Sequence, residues 1–197
     1  IPKLNSAFEK AQEFGFTSGK AHSQERQKEA RRIPINYGNQ PSIQTAFIFN
    51  EVGAPWLTQK WSRAVVDSVY SGLSPYTGFN GDEDQGLMGS VSVLMKIGLF
   101  QLDGGVTENP IYQIGSPIFN RIEIALSDEY YSGKTFTIEV RNNSAENIYI
   151  QSVQLNGKPL DRTFLTHEEI VSGGSLVLEM GNEPDYELGK FQNSNTK

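Results

Sequence analysis

Gly81-Asp82-Glu83-Asp84-Gln85-Gly86 sets three consecutive carboxylates between two glycines. Adjacent like charges raise one another's pKa unless a cation or hydrogen-bond donors face them. The flanking glycines let the chain turn tightly and bring its backbone close to another group. Three chemistries fit such a stretch. An acid just before a long helix is a good N-cap, and acids in the first turn suit the helix dipole. The carboxylates can instead hold a cation. Or one of them, tuned by its neighbours, can act as a general base on a substrate. No Asp-x-Asp-x-Asp-Gly loop of the EF-hand type follows, so a self-contained calcium loop is not supported.

Other reactive groups are few. The chain has no cysteine, which excludes disulfides, thiolate metal sites and cysteine nucleophiles. Its two histidines, His22 and His167, lie far apart with no second histidine at helical spacing, which argues against zinc. His22 reads as a surface residue, and His167, beside Glu168 and Glu169, as part of a loop or short turn. Neither a Gly-x-Ser-x-Gly elbow nor a phosphate-binding Gly-Lys-Ser/Thr loop occurs. Trp56, Trp61 and Tyr70 read as core, although exposed aromatics can stack on sugar rings. Asn142-Asn143-Ser144 is formally a glycosylation acceptor.

The net charge of -6 counts against a nucleic-acid partner, since phosphate binding wants a basic face. The one basic cluster, Lys20, Arg26, Lys28, Arg31 and Arg32, is interleaved with acids and reads as a solvated face. No run of eighteen apolar residues exists to span a membrane. The first residue is Ile and no signal-peptide pattern follows, so the chain is expected to be a piece of a longer polypeptide. The negative charge and lack of cysteine fit a periplasmic, extracellular or cell-surface protein.

The elements that must position these groups change period partway. Leu4, Phe8, Ala11 and Phe14 recur at three to four, and Gln24–Arg32 is rich in helix formers until Pro34 forces the chain out of helix. Ser42 is the expected N-cap of a helix to about Asn50. A second helix starts at Ala54-Pro55-Trp56, with Trp61, Val65, Val66 and Val69 on one face and Gly72 at its end. Leu87–Leu99 predicts an apolar, buried helix. From Ile111 the period becomes two: 121–126, 135–140, 148–155 and 175–180 read as strands, with Asn156-Gly157 as a type I′ hairpin. The expected organisation is α+β: helices over 1–108, an antiparallel β region over 109–182, and a polar tail over 183–197 that frays from Pro184.

A series of ordered segments narrows the reading. Tyr37-Gly38-Asn39-Gln40-Pro41-Ser42 is followed by Gly53-Ala54-Pro55-Trp56 with Thr58-Gln59, then by the acidic turn. Further on come Tyr112-Gln113-Ile114-Gly115-Ser116-Pro117, Asn142-Asn143-Ser144, Tyr149-Ile150-Gln151-Ser152, Leu155-Asn156-Gly157-Lys158, His167-Glu168-Glu169-Ile170 and Gly173-Gly174-Ser175-Leu176. The series resembles glycoside hydrolase family 92, the calcium-dependent exo-acting α-mannosidases, over nearly the whole chain and most clearly over 33–182. The resemblance implies that this chain supplies the last helices of an (α/α)6 catalytic barrel and a closing β-sandwich-like region. The parent polypeptide would hold the rest of the barrel and an N-terminal β-sandwich.

The resemblance also implies roles. The family inverts configuration, with one acid protonating the leaving oxygen and a base activating water from the opposite face. Asp84 is the expected base and Asp82 its assistant. Gln40, Glu83, Gln85 and Trp56 are the expected contacts to a mannose-containing glycan. Asn39 and Gln40 fall in the segment associated with a calcium ion that helps distort the sugar ring.

Two departures stand out. The family's Glu in Gly-Asn-Glu-Pro is Gln40 here, which keeps an oxygen ligand and loses a charge. The family's paired histidines are Ile43 and Gln44, which puts the usual contacts to a second sugar and the α-1,2 linkage in question. No counterpart of the general acid is found in this chain, and an inverting mechanism needs both carboxylates. The fragment alone is therefore expected to be inactive. The rival reading is a non-catalytic sugar-binding or structural module, with Gln40 marking a degenerate site.

Overall fold

A computed structural model describes residues 1–17, 28, 32–74, 78 and 85–189. The expected helix over Gln24–Arg32 lies almost wholly outside these residues. Helix α1 (Pro2–Gln12) opens with Pro in its first turn and buries Phe8 and Ala11. Its apolar stripe does not continue to Phe14, which is exposed. The chain turns through Gly15 and Phe16, both at positive φ, and Phe16 takes the core position instead. The same core holds Trp61, whose ring stacks on Phe8 with centroids 5.1 Å apart and whose Nε1 donates to Asn5 at 2.9 Å.

The continuous helix expected from Ser42 does not form. Two 3₁₀ turns, Gln40–Ser42 and Thr45–Phe47, lead into a single turn, α2 (Ile48–Glu51). The reason lies in competing side chains. In an α-helix the Ala46 N–H would bond the Ser42 carbonyl. Here the Tyr37 hydroxyl accepts that N–H at 2.9 Å, and the Thr45 hydroxyl donates to the Ser42 carbonyl at 2.6 Å. Ser42 caps nothing; its Oγ accepts the Asn36 N–H at 3.1 Å.

Helix α3 (Pro55–Val69) is the pillar of the molecule. Trp61, Val65, Val66 and Val69 are buried as their spacing predicts, and the helix stops at Tyr70 rather than Gly72. Helix α4 (Leu87–Ile97) buries only Met88, Val91 and Met95, while Leu87 and Val93 are exposed, so it is not buried all round as its composition suggested. Gly98, left-handed at φ +75°, ends it.

The β half contains two sheets. Strands β1 (Leu99–Phe100), β2 (Ile111–Ile114) and β7 (Phe164–Thr166) form an antiparallel trio, with Leu99 opposite Ile114 and Ile111 opposite Thr166. Strands β3 (Arg121–Ala125), β4 (Thr135–Arg141), β5 (Tyr149–Leu155), β6 (Lys158–Pro159) and β8 (Gly174–Gly181) form the second sheet in the order β3-β4-β8-β5-β6. The α+β organisation is as expected. The sheet is not purely antiparallel, however: β8 inserts between β4 and β5 and runs parallel to β4, with Phe136 opposite Gly174. Between β4 and β8 the chain makes the β5–β6 hairpin, β7 and helix α5 (His167–Val171), a connection long enough to return a parallel strand. Alternation sends Phe136, Ile138 and Val140 of β4 and Leu176, Leu178 and Met180 of β8 into one core. Asn156 (φ 51°) and Gly157 (φ 77°) make the predicted type I′ hairpin, pairing Leu155 with Lys158.

Two further expectations change. His167 begins helix α5, whose N-cap Thr166 exchanges capping-box hydrogen bonds with Glu169. The chain from Pro184 to Gly189 does not fray but packs: Tyr186 meets Trp56 edge-on at 4.9 Å, and Leu188 lies against the sheet core.

Candidate active-site segments

The sequence-predicted site residues fall in two stretches. The first, around Asn39 and Gln40, is described throughout. Asn39 is exposed and extended, and its Oδ1 accepts the Gln40 N–H at 2.8 Å, opening the first 3₁₀ turn. Gln40 is half-buried, and its side-chain amide makes no hydrogen bond among the described residues. Just upstream, Asn36 Oδ1 accepts the Gly38 N–H at 2.9 Å. Tyr37 between them is fully buried. Its N–H donates to the Phe16 carbonyl at 2.7 Å, its hydroxyl accepts from Ala46 N, and that hydroxyl lies 3.3 Å from the Thr45 hydroxyl. Burial pushes the Tyr37 phenol up to about 12, against the two hydrogen bonds that lower it, so it stays protonated across the physiological range.

Of the second stretch, Asp82, Glu83 and Asp84 lie outside the described residues, while Gln85 and Gly86 lie within them. Gln85 is exposed at φ 61° and Gly86 follows at φ 88°, two successive left-handed residues that turn the chain into α4. Gly86 itself occupies the N-cap position and no acid lies in the first helical turn. The expectation that one of the acids caps this helix is thus corrected: the cap position belongs to a glycine, whose carbonyl accepts from Ser90 N and Oγ.

Tyr70, the C-cap of α3, donates its hydroxyl to the Tyr37 carbonyl at 2.8 Å within the core. Trp56, half-buried at the start of α3, is engaged on one side by Tyr186.

Asn39 and Gln40 offer neutral amide oxygens, the hard donors that calcium accepts, and the free Gln40 amide and exposed Asn39 fit such an ion in ligand type. Among the described residues no group of three His, Cys, Asp or Glu stands close enough to hold a metal, so further ligands would come from outside them.

Sequence reasoning did not anticipate the polar seam between the helical and β halves. Gln59 Oε1 accepts the Ile150 N–H at 3.0 Å. Arg63 Nε donates to Ser116 Oγ at 3.2 Å, and its Nη2 reaches Asn143 Oδ1 and the Ser144 carbonyl. Asn50 Nδ2 donates to Gln113 Oε1 and the Ile114 carbonyl, both at 3.0 Å, while Gln113 Nε2 donates to Glu51. Gln59, Ser62 and Arg63 recur at three and four along α3, a second stripe beside the apolar one. That polar stripe was the available signal: a helix with two buried faces, one of them polar, serves two partners. Asn142, the formal glycan acceptor, donates its Nδ2 to the Met180 carbonyl at 3.0 Å and so pins the β4–β5 turn to β8.

The profile of the glycosyl hydrolase family 92 catalytic domain matches residues 1–182, spanning both stretches and the seam. The chain belongs to glycosyl hydrolase family 92. A secreted glycosidase of the fungus Arthroderma benhamiae, itself uncharacterised, is 34% identical over 148 residues, which are 74% of this chain and 18% of that protein. A family 92 α-mannosidase of Bacteroides thetaiotaomicron shares the fold with a TM-score of 0.72 at 29% identity, covering 82% of this chain and 20% of that one. An inverting family 92 mannosidase from the same bacterium gives 0.70 at 31% identity, covering 86% and 22%. The chain thus spans about a fifth of the length of these relatives. Of the segments that resemble the family, Gln59, Gln113, Ser116, Asn143 and Ser144 build the seam, while Gly38–Gln40 takes no part in it. No helix among the described residues is long and apolar enough to cross a membrane.

Proposed function

We propose that the longer protein containing this chain releases mannose from α-linked mannosides by inverting hydrolysis, and that this chain alone is inactive. Asp84 acts as the base on water and Asp82 orients or tunes it. Gln40, Glu83, Gln85 and Trp56 contact the glycan. The observation that carries the reading is the family match across both site segments, together with the glycine at the α4 N-cap. The N-cap position of α4 is a glycine, so none of the three acids occupies it.

In an inverting reaction, a carboxylate removes a proton from water as water attacks the anomeric carbon, while a separate acid protonates the departing oxygen. Asp84 is assigned the first task as one carboxylate in a run of three consecutive acids. The partner acid is supplied by the rest of the polypeptide. Asn39 and Gln40 would hold calcium through their amide oxygens, and the ion, when bound, supplies a positive charge to the sugar's hydroxyls. With Gln40 in place of the family's Glu, that site carries one negative charge fewer. A periplasmic or extracellular location is in keeping with the secreted name of the fungal relative.

The test is mannose release from α-linked mannobioses and high-mannose glycan by the full-length protein with calcium. Asp84→Ala is expected to lower the rate by at least about a hundredfold, the scale of a lost general base. The isolated chain is expected to release none. A full-length protein that is inert on every mannoside yet binds them overturns the catalytic reading in favour of a sugar-binding module.

A further inference from the structure

We propose that Tyr70 is a positioning residue for the Asn39–Gln40 segment: its hydroxyl holds Gly38–Gln40 in a fixed place relative to helix α3. The inference rests on the mannosidase reading above and adds a residue that none of the recognisable motifs contains.

The geometry centres on one peptide group, the link from Tyr37 to Gly38. Its carbonyl accepts the Tyr70 hydroxyl at 2.8 Å, and its N–H donates to Asn36 Oδ1 at 2.9 Å. A peptide plane pinned at both polar ends cannot rotate about the Cα–Cα axis without breaking a bond. The two residues that follow Gly38 are Asn39 and Gln40, the amide donors of the site.

Both ends of the tether are themselves fixed. Tyr70 is the C-cap of α3, its backbone N–H donates to the Val66 carbonyl at 3.1 Å, and it is buried. Tyr37 is held by Phe16, Thr45 and Ala46 in the same core. One hydroxyl thus ties the C-terminus of α3 to the segment holding the amide ligands. Reaction geometry is sensitive to displacements of about an ångström. Tyr70→Phe removes the hydroxyl alone, leaves the ring in the core, and leaves the Tyr37 carbonyl buried without that donor.

Two readouts on the full-length protein test this, with Trp61→Phe as control. That variant removes the indole bond to Asn5 from the same helix and no hydrogen bond to the backbone of 36–42. The first readout is amide hydrogen exchange. In Tyr70→Phe the segment 38–40 is expected to exchange at least about tenfold faster, with α3 unchanged, a local opening rather than a global one. The second is the calcium dependence of mannose release well below the melting temperature. The half-saturating calcium concentration is expected to rise about tenfold in Tyr70→Phe, with kcat at saturating calcium within about threefold of wild type, because the lost contact misplaces ligands that excess ion can recover. Trp61→Phe is expected to change neither. Unchanged exchange at 38–40 in Tyr70→Phe overturns the tether. Faster exchange with an unchanged calcium requirement, or the same rise in Trp61→Phe, overturns its positioning role. A wild type inert on mannosides sinks the mannosidase reading and, with it, the role in the sugar site, while the exchange result still decides whether Tyr70 holds the segment.

Discussion

The side-chain oxygen of Gln59 accepts the backbone N–H of Ile150 at 3.0 Å, across a sequence separation of 91 residues, with Gln59 almost wholly buried. This bond fastens the pillar helix to the strand at which β5 bulges, between Ile150 and Ser152. Strand β6 pairs only Gln154 and Leu155 of β5, so at Ile150 the sheet offers β8 alone, and the helix supplies the acceptor for this N–H. Gln59→Leu keeps the volume and removes the acceptor, leaving a buried N–H unsatisfied. The expected cost is about 1–3 kcal/mol, read as a lower urea midpoint at unchanged slope. A change within about 0.5 kcal/mol would place this variant among ordinary surface substitutions and show that the seam does not depend on this bond.

Arg63 extends the same seam with a buried charge. Its guanidinium faces Ser116, Asn143 and the Ser144 carbonyl, neutral acceptors all, and burial draws its pKa downward while Asp67 raises it. Ser116 passes the contact on, its hydroxyl donating to the Ile148 carbonyl at 2.8 Å. Arg63→Met is expected to destabilise by about 1.5–3 kcal/mol, the range for hydrogen bonds to a charged group. Arg63→Lys should recover less than half of that, because an ammonium cannot reach both arms of the fork. A double-mutant cycle with Asn143→Ala should return a coupling of about 1 kcal/mol; additive losses would mean that the two side chains do not act together.

Much of this molecule was readable from its residues, and the failures have physical causes. The strands of the second sheet, the type I′ hairpin and the apolar face of α3 followed from period and turn chemistry, because each is decided by neighbours along the chain. The helix expected from Ser42 was lost to a side chain outside it, the Tyr37 hydroxyl, which takes the N–H of Ala46. The parallel pairing of β4 with β8 follows from a return of the chain that alternation cannot report, since both neighbours of β8 see the same alternating face. At the site, the composition of Gly38–Gln40 and of the acidic turn was legible. The Tyr70–Tyr37 bond that holds the first of them to α3 was not, because Tyr70 looks like any other core aromatic until its hydroxyl is given a partner.

Tyr37 makes stability depend on alkaline pH. Its phenol is raised by burial to about 12 in the folded chain, against about 10 when unfolded. Below pH ~10 both states hold the proton and the contribution is complete. Between the two values the unfolded state loses its proton first, so stability falls as pH rises, by about 2–3 kcal/mol in total. Urea midpoints across this range should show the decline, and Tyr37→Phe should show a shallower one from a lower starting stability, because Ala46 N–H loses its acceptor. Tyr112 and Tyr149 are also raised by burial, but both are only half-buried and contribute less. An equal slope in Tyr37→Phe would mean that another group carries the alkaline transition.

Gly98 is the residue on which α4 and the first sheet meet, and it should tolerate no side chain. It ends the helix at φ +75°, and its carbonyl accepts the Gly115 N–H at 2.8 Å, just before β1 begins. A Cβ placed there would lie 2.5 Å from Cγ and 2.8 Å from Cδ of Pro117. Gly98→Ala therefore combines left-handed strain of about 1–2 kcal/mol with overpacking of about 1–3 kcal/mol against a rigid ring. Relieving the ring clash should separate part of this: Pro117→Ala removes Cγ and Cδ but keeps the backbone N, 2.9 Å from that Cβ, so in that background the cost of Gly98→Ala should fall by the share of the ring. If the cost is the same in both backgrounds, the ring is not what excludes the side chain, and the backbone at Gly98 and Pro117 accounts for the whole effect.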